Sequence, residues 1–314
     1  MGIKLSFRER EESLVLSFPD FREEIMAGLT KVFGPDFVIA ERDVVKNNGV
    51  TLYGISITGP DDNVSPAIYL ESLYDEYEKG KINLREAENE ILKVYSGGRS
   101  GTDQDMSYIT DFEKVKDKLI FRLVNAELNS SLLNEIPHRK FLDLAIIYTI
   151  FVDGIFDTPG NIIVKNDLLE KWGCDEEELY KVSLENTPRI KEPVLRELSD
   201  MVLEIVGADE KAREEMNDPG LFKMFVLTNS DKFYGDSPIL YPGFLKEVSK
   251  NSGSDLYLLP SSVHEFIVIP DNGKIDPDEL KELVMSVNRT TVSKEEFLSD
   301  SVYVFRDDEI SICA

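Results

Sequence analysis

The N-terminal third of the chain switches between helical and extended patterns of apolar residues. A first helix is predicted by five apolar residues that would share one of its faces: Phe21, Ile25, Met26, Leu29 and Phe33. Asp20, followed three residues later by Glu23, predicts where this helix begins. Residues 37–45 and 50–57 then alternate as strands on either side of Asn48-Gly49, a dipeptide typical of hairpin turns. The pattern predicts a helix followed by a β-hairpin.

The rest of the sequence mixes strand and helix signals. Residues 141–152 are almost continuously apolar, which predicts a single central strand covered on both faces. Asn166 and Asp175 each predict the N-terminal cap of a helix, and residues 195–205 carry an apolar stripe at helical spacing. Two more apolar strands flank residues 261–265. Because several of these strands are joined by short hairpin turns, an all-parallel sheet is disfavoured.

The order of these elements predicts an α+β fold with antiparallel or mixed sheets covered by helices. Residues 96–110 are small and polar, without helical or strand periodicity. We therefore predict an N-terminal α+β subdomain at residues 1–98, a linker at 99–107, and a larger α+β domain at 108–314. The alternative is one continuous domain in which the linker is a surface loop.

Acidic residues strongly outnumber basic ones, with 60 Asp and Glu against 35 Lys and Arg and a formal net charge of −25. This excess disfavours direct binding to nucleic acid, because that affinity comes mainly from Lys and Arg contacts to phosphates. Binding to an anionic membrane surface is disfavoured for the same reason. The simplest interpretation is a solvated acidic surface. An alternative is an acidic decoy, which would mimic nucleic acid and occupy a nucleic-acid-binding protein.

The sequence also predicts a compartment and excludes several kinds of chemistry. Cys174 and Cys313 are the only cysteines, and two isolated thiols fit a reducing cytoplasm. No apolar signal segment opens the chain, and no run of about 18 apolar residues occurs. Glycine-rich phosphate-binding motifs are missing, and the only histidines, His138 and His264, lack the spacing of a metal site. We therefore expect a cytoplasmic protein without a cofactor or a bound metal.

The best candidate site is a polar cluster between two apolar strands, in the segment L-Y-L-L-P-S-S-V-H-E-F-I-V-I-P. Its members are Ser261, Ser262, His264 and Glu265. A polar cluster in such a place must satisfy its own hydrogen bonds or face a site. Asn229 ends another predicted strand, V-L-T-N. We expect these five residues to contribute to a surface for a ligand or a protein partner.

Ser262 and His264 also suggest a serine hydrolase, with the hydroxyl as nucleophile and the imidazole as general base. However, on an extended strand Glu265 would point away from the imidazole that it should orient. No G-x-S-x-G turn surrounds either serine of the cluster. Catalytic residues are therefore not assigned, and a hydrolase is the alternative to a binding protein.

A weaker candidate is an anion site in the segment I-P-H-R-K-F. His138, Arg139 and Lys140 form the most basic short segment of this acidic chain. A phosphate or carboxylate could dock there. The simpler interpretation is a solvated loop that offsets neighbouring acids.

Several segments together resemble an uncharacterised bacterial family defined by a domain of unknown function and found largely in gut-dwelling Firmicutes. They include F-R-E-E-I, V-V-K-N-N-G-V-T-L-Y-G-I, P-A-I-Y-L-E, I-P-H-R-K-F-L-D-L-A, N-I-I-V-K-N-D-L-L-E-K-W-G and L-Y-L-L-P-S-S-V-H-E. The resemblance covers residues 21 to 305. P-S-S-V-H-E is also similar to a segment of a second uncharacterised family, from bacilli. The resemblance implies a bacterial, cytoplasmic protein and supplies no catalytic residues.

These observations lead to one principal hypothesis. We expect a non-enzymatic cytoplasmic protein that acts by binding an unknown protein or a small ligand. The hypothesis rests on the missing nucleophile turn, phosphate loop and metal spacing, together with the polar cluster at residues 261–265.

Overall fold

The computed structural model describes residues 15–60, 67–98, 106–152, 160–207 and 223–313. The chain divides into two compact units. The smaller unit comprises Met1–Val45 and Thr51–Gln104, and the larger comprises Lys46–Val50 and Asp105–Ala314. Most of the linker predicted at residues 99–107 lies outside the described residues, so its character stays a prediction.

The smaller unit packs three helices against a three-stranded antiparallel sheet with the order β1-β2-β3. Its elements are α1 (Phe18–Phe33), β1 (Val38–Val45), β2 (Thr51–Thr58), β3 (Ala67–Tyr69), α2 (Glu71–Glu78) and α3 (Leu84–Gly98). The predicted hairpin is present, and its register runs without a break from Val38 opposite Thr58 to Val45 opposite Thr51.

The apolar stripe of α1 forms the core of the smaller unit. Phe21, Ile25 and Leu29 are fully buried, as their spacing predicted. The predicted start of α1 was wrong by one turn, because Ser17 is the N-cap and its Oγ accepts a hydrogen bond from the backbone N of Asp20. Asp20 is instead a residue of the first turn, where a negative charge suits the helix dipole.

The larger unit contains the other strands and helices of the described residues. They are α4 (Phe112–Val115), β4 (Leu119–Asn125), α5 (Ser130–Leu133), β5 (His138–Phe141), β6 (Leu144–Val152), β7 (Gly160–Ile163), α6 (Asn166–Trp172), α7 (Glu176–Ile190), β8 (Pro193–Glu197), α8 (Leu198–Val206), β9 (Phe225–Asn229), α9 (Phe244–Ser252), β10 (Leu256–Ser262), β11 (Glu265–Pro270), α10 (Pro277–Thr291), β12 (Tyr303–Arg306) and β13 (Glu309–Ile312).

These strands form two antiparallel sheets that share a core. One sheet has six strands in the order β13-β12-β10-β11-β9-β8, and in the other β6 lies between β4 on one side and β5 and β7 on the other. Leu258 and Phe266 of the first sheet pack in the same cluster as Leu123 and Ile146 of the second. Tyr257 and its alternate neighbours on β10 face the opposite side, where α10 covers them. Since both faces are covered, β10 is apolar on both, as its sequence indicated.

The outer edge of β4 is closed by side chains instead of by another strand. The backbone N of Phe121 donates to Thr187 Oγ1 at 3.0 Å, and the backbone N of Leu123 donates to Asp236 Oδ1 at 3.1 Å. Both acceptor residues are fully buried. An unpaired strand edge in a protein interior must be satisfied in some such way.

Several sequence-based element predictions need correction. The single strand predicted over residues 141–152 is a hairpin, because Leu142 adopts a left-handed conformation with φ 56° and turns β5 into β6. Residues 195–197 belong to β8, so the predicted helical stripe begins only at Leu198. Asn166 is the first residue of α6 and not its cap. Asp175, by contrast, caps α7 by accepting from the backbone N of Glu178, as predicted.

The predicted α+β class is confirmed, since helices cover antiparallel sheets in both units. Every helix in the described ranges is too short or too polar to cross a lipid bilayer.

Candidate functional site

The polar cluster predicted from the sequence lies at the turn between β10 and β11. Ser262 pairs with Glu265 across the turn, and the register shifts between Pro260 and Ser262, so the hairpin ends in a bulge. Val263 is buried there, while its polar neighbours are half-buried. We use the term hairpin-tip surface for this region and the side chains that adjoin it: Phe233, Ser261, Ser262, His264, Glu265 and Glu296.

The two serine hydroxyls of the hairpin-tip surface bond to the turn itself. Ser262 Oγ accepts a hydrogen bond from the backbone N of His264 at 3.0 Å. Ser261 Oγ donates to Glu265 Oε1 at 3.3 Å. Local bonds of this kind are how Ser side chains stabilise turns. Both hydroxyls therefore have a structural role in the tip.

The imidazole of His264 is hydrogen-bonded through one nitrogen and faces a carboxylate with the other. Its Nδ1 lies 3.1 Å from the backbone N of Tyr234, which donates to it. With Nδ1 as the acceptor, the neutral ring carries its proton on Nε2. That nitrogen lies 3.6 Å from Glu296 Oε1, too far for a hydrogen bond but close enough for an ion pair if the ring is protonated. The ring stacks on Phe233, with centroids 5.3 Å apart and planes 29° apart.

This arrangement does not fit a serine hydrolase. A catalytic histidine needs an unshared lone pair on one nitrogen to take the proton of the nucleophile. In His264 the lone pair of Nδ1 already accepts from Tyr234, and Nε2 faces Glu296 instead of a serine. Ser262 Oγ contacts the backbone N of His264, not its ring. The local pair that suggested a hydrolase is therefore not assembled as one.

Asn229 lies beneath the hairpin-tip surface and not on it. Its side chain is fully buried. Asn229 Nδ2 donates to the carbonyl oxygens of Phe233 and Tyr234 at 3.0 and 3.1 Å, and Oδ1 accepts from the backbone N of Asp231 at 3.1 Å. All of its polar capacity is used to fold the loop at residues 230–236. Asn229 thus shapes the surface from below by placing Phe233 and Tyr234.

Gly235 lets this loop pass close to the hairpin tip. A Cβ at Gly235 would lie 2.2 Å from both the carbonyl oxygen of His264 and Thr228 Oγ1. These two atoms are themselves hydrogen-bonded at 2.8 Å. No side chain larger than hydrogen fits this approach.

Glu296 reaches the surface from the segment after α10. The backbone N of Val263 donates to the carbonyl oxygen of Glu296 at 2.8 Å, which joins this segment to the tip. Ser293 Oγ accepts from the backbone N of Glu296 at 3.2 Å and donates to Glu296 Oε2 at 3.0 Å, so the pair closes a turn, and no helix follows it. The carboxylate of Glu296 is about half exposed.

The basic segment His138 to Lys140 is strand β5 and not a loop. Arg139 pairs with both carboxylate oxygens of Glu176 at 2.9 and 3.1 Å and with Glu177 at 2.5 Å. Its hydrogen bonds lower the pKa of Glu177. An incoming anion would have to displace these carboxylates, so the geometry does not favour the anion site, which stays a prediction.

Sequence reasoning missed the buried charges of the larger unit. Arg122, Lys191 and Asp236 are at most 7% exposed. Burial raises the pKa of Asp236 to about 7, although its bond from Leu123 and the charge of Arg122 oppose the shift. The one available signal was an arginine within the apolar strand L-I-F-R-L-V-N. No group of three or more metal-ligating side chains occurs among the described residues.

Comparisons with known proteins identify a family but no activity. A family model described as "Family of unknown function (DUF5688)" matches residues 18–307. No curated protein and no solved structure matches the chain.

Proposed function

Since the chain belongs to the DUF5688 family, whose function is unknown, we propose its function from the site alone: it is a non-enzymatic binding protein. The hairpin-tip surface recognises a basic segment of a protein partner. One observation carries the proposal. Ser262 Oγ and His264 Nδ1 both accept hydrogen bonds from the backbone, whereas the aromatic face of Phe233 beside them is open.

The open face is provided by Phe233. Its side chain is 45% exposed, although it stacks on His264 and lies 4.3 Å from the ring of Tyr234, centroid to centroid. A large exposed aromatic residue in a loop that is fixed by buried hydrogen bonds is typical of a recognition site. The loop is fixed by Asn229, so the face is formed before a partner arrives.

The charges around this face favour a cationic partner. Glu296 and Glu265 belong to the same surface, and the net charge of the chain is −25. A Lys or Arg side chain can contact an aromatic ring and a carboxylate at once. The net charge would also speed the approach of a basic partner.

The proposal includes a bacterial origin and a cytoplasmic location. The first rests on the sequence resemblance described above. The second rests on Cys174 and Cys313, which form no disulfide.

Binding of a fluorescent arginine-glycine peptide, followed by anisotropy, tests the proposal. Phe233→Ala leaves the net charge unchanged and removes the aromatic face, so we expect binding to weaken about five- to tenfold. Leu283→Ala is the matched control, because Leu283 is 53% exposed on α10 and lies outside the surface. Equal binding by both variants would contradict the proposal.

A second pair of variants separates the site from the general charge. Glu296→Gln and Glu282→Gln change the net charge equally, but only the first alters the hairpin-tip surface. We expect a larger loss of peptide binding in Glu296→Gln. Equal losses would mean that the peptide responds only to the overall charge.

Labelling of Ser262 by a fluorophosphonate would contradict the proposal that the protein is not an enzyme.

A further inference from the structure

One face of the four-stranded sheet carries buried polar atoms that have no partner. They are Arg122 Nε and Nη1, Thr149 Oγ1 and Asn161 Oδ1. Thr149 is 1% exposed and Arg122 is 7% exposed. A buried polar atom without a hydrogen bond destabilises a protein, most of all when it belongs to a charged group. Four such atoms on one face of the sheet point to a polar partner there, which is either ordered water or another molecule.

The sheet register places these three residues on one diagonal. Thr149 lies opposite Ile120, two residues before Arg122 on β4, and opposite Ile163, two residues after Asn161 on β7. Residues that face each other or differ by two positions share a face of the sheet. Arg122, Thr149 and Asn161 therefore form a polar line across β4, β6 and β7. Their neighbours on this face are apolar: Ile120, Ile147, Phe151 and Ile163.

The polar line contains one cation, Arg122, and a second cation, Lys191, lies near it. The guanidinium of Arg122 lies against the ring of Tyr234, 4.2 Å from its centroid, which leaves the edge of the guanidinium free to donate. Lys191 is 3% exposed, with its Nζ 4.7 Å from the centroid of Phe151, and it pairs with Asp231. Asp236 offsets the charge of Arg122 only partly, because Asp236 Oδ2 also lacks a partner and burial raises the pKa of this carboxyl to about 7.

We propose that Arg122, Thr149 and Asn161 form a buried binding site for a small molecule that carries an oxyanion, a carboxylate or a phosphate. Arg122 donates to the oxyanion, because both of its unpartnered atoms are charged donors. Thr149 can donate or accept, and Asn161 Oδ1 accepts from a hydroxyl or amine of the same molecule. The site shares Tyr234 with the surroundings of the hairpin-tip surface, but the proposal does not rest on the function proposed for that surface.

Equilibrium dialysis of the full chain tests this site, with radiolabelled inorganic phosphate and radiolabelled acetate as separate probes at constant ionic strength. We expect one probe molecule per chain, and the tighter of the two probes identifies the chemical class. Thr149→Val keeps the side-chain shape and removes the hydroxyl. We expect it to weaken binding about five- to tenfold. The same variant should not lower the unfolding temperature of the ligand-free protein. The hydroxyl that it removes is buried without a hydrogen bond, so its loss costs no stability.

Asn161→Asp adds a negative charge to the polar line, so we expect binding of both anionic probes to weaken strongly. Asn251→Asp is the control, since Asn251 is exposed on α9 and the charge change is the same. Failure of both probes to bind would overturn the proposal and leave only ordered water on these atoms. Binding that is unchanged in both Thr149→Val and Asn161→Asp would also overturn it, because the ion would then lie elsewhere on the protein.

Discussion

Single residues in this protein have roles that their neighbours in the sequence do not reveal. Asp236 follows Gly235 in a polar loop segment, which suggests a solvated side chain. In the structure it is fully buried and accepts from the backbone N of Leu123, a residue 113 positions away. Its burial follows from its position at the edge of β4, and no local pattern encodes that edge.

The raised pKa of Asp236 predicts an unusual dependence of stability on pH. Burial raises the pKa of this carboxyl in the folded state to about 7, from its ordinary value of 3.8. Between these values the folded state binds more protons, so the free energy of unfolding falls as the pH rises. Asp236→Asn removes this titration. Between about pH 5 and pH 8, we expect the free energy of unfolding of wild type to fall by about 2–3 kcal/mol relative to that of the variant.

Urea unfolding of both proteins at the two pH values measures this difference. Asp43→Asn is the control, because Asp43 is exposed on β1. A constant difference between wild type and Asp236→Asn would show that Asp236 keeps the same charge at both pH values.

The elements that sequence reasoning predicted well are those defined by local signals. Asp175 caps α7, and Asn48-Gly49 lies between the paired strands β1 and β2. The β5–β6 hairpin was missed because an apolar residue, Leu142, occupies a left-handed turn position that favours glycine or asparagine. Turns of this kind depend on packing from distant segments.

The candidate site shows the same division between local and distant information. The sequence indicated the polar hairpin tip because Ser261, Ser262 and His264 are close neighbours in the chain. The residues that determine its chemistry, Tyr234 and Glu296, are 30 positions away or more. A sequence pattern could therefore suggest the place but not the tautomer of the imidazole or the exposed ring beside it.

Helix caps allow this division to be tested at the level of one element. Asp175→Ala removes a side chain that accepts from Glu178 N at 2.9 Å, so we expect a loss of about 1 kcal/mol in the free energy of unfolding. Asn166→Ala should cost only a few tenths of that, because Asn166 lies inside α6 and its one side-chain bond, to the carbonyl oxygen of Asn134, is 3.4 Å long. Urea unfolding of both variants measures the difference. Equal losses would show that Asn166 acts as a cap after all.

The charge of the whole chain is large and unbalanced. Among the residues that the structure describes, most ion pairs lie at the surface, as Lys93 with Glu90 and Lys246 with Asp308 do. Such pairs contribute little to stability, whereas a net charge of −25 repels itself. The expected family of unknown function is confirmed over residues 18–307, but that family gives this charge no established purpose.

This imbalance predicts how the full chain responds to salt. Raising sodium chloride from low ionic strength to about 0.5 M screens the repulsion. We expect the midpoint of thermal unfolding to rise by about 2–4 °C, which corresponds to about 1 kcal/mol for a chain of this size. Calorimetry in a series of salt concentrations measures the change. A falling midpoint would show that attractive pairs outweigh the repulsion.

The closed border of β4 has a consequence for how the protein behaves when it is crowded. Thr187 and Asp236 occupy the amides that a foreign strand would use as a template. In the folded protein these two amides are therefore not available to a strand of another chain. A carboxyl group buried at an energetic cost thus protects the sheet against amyloid-like growth.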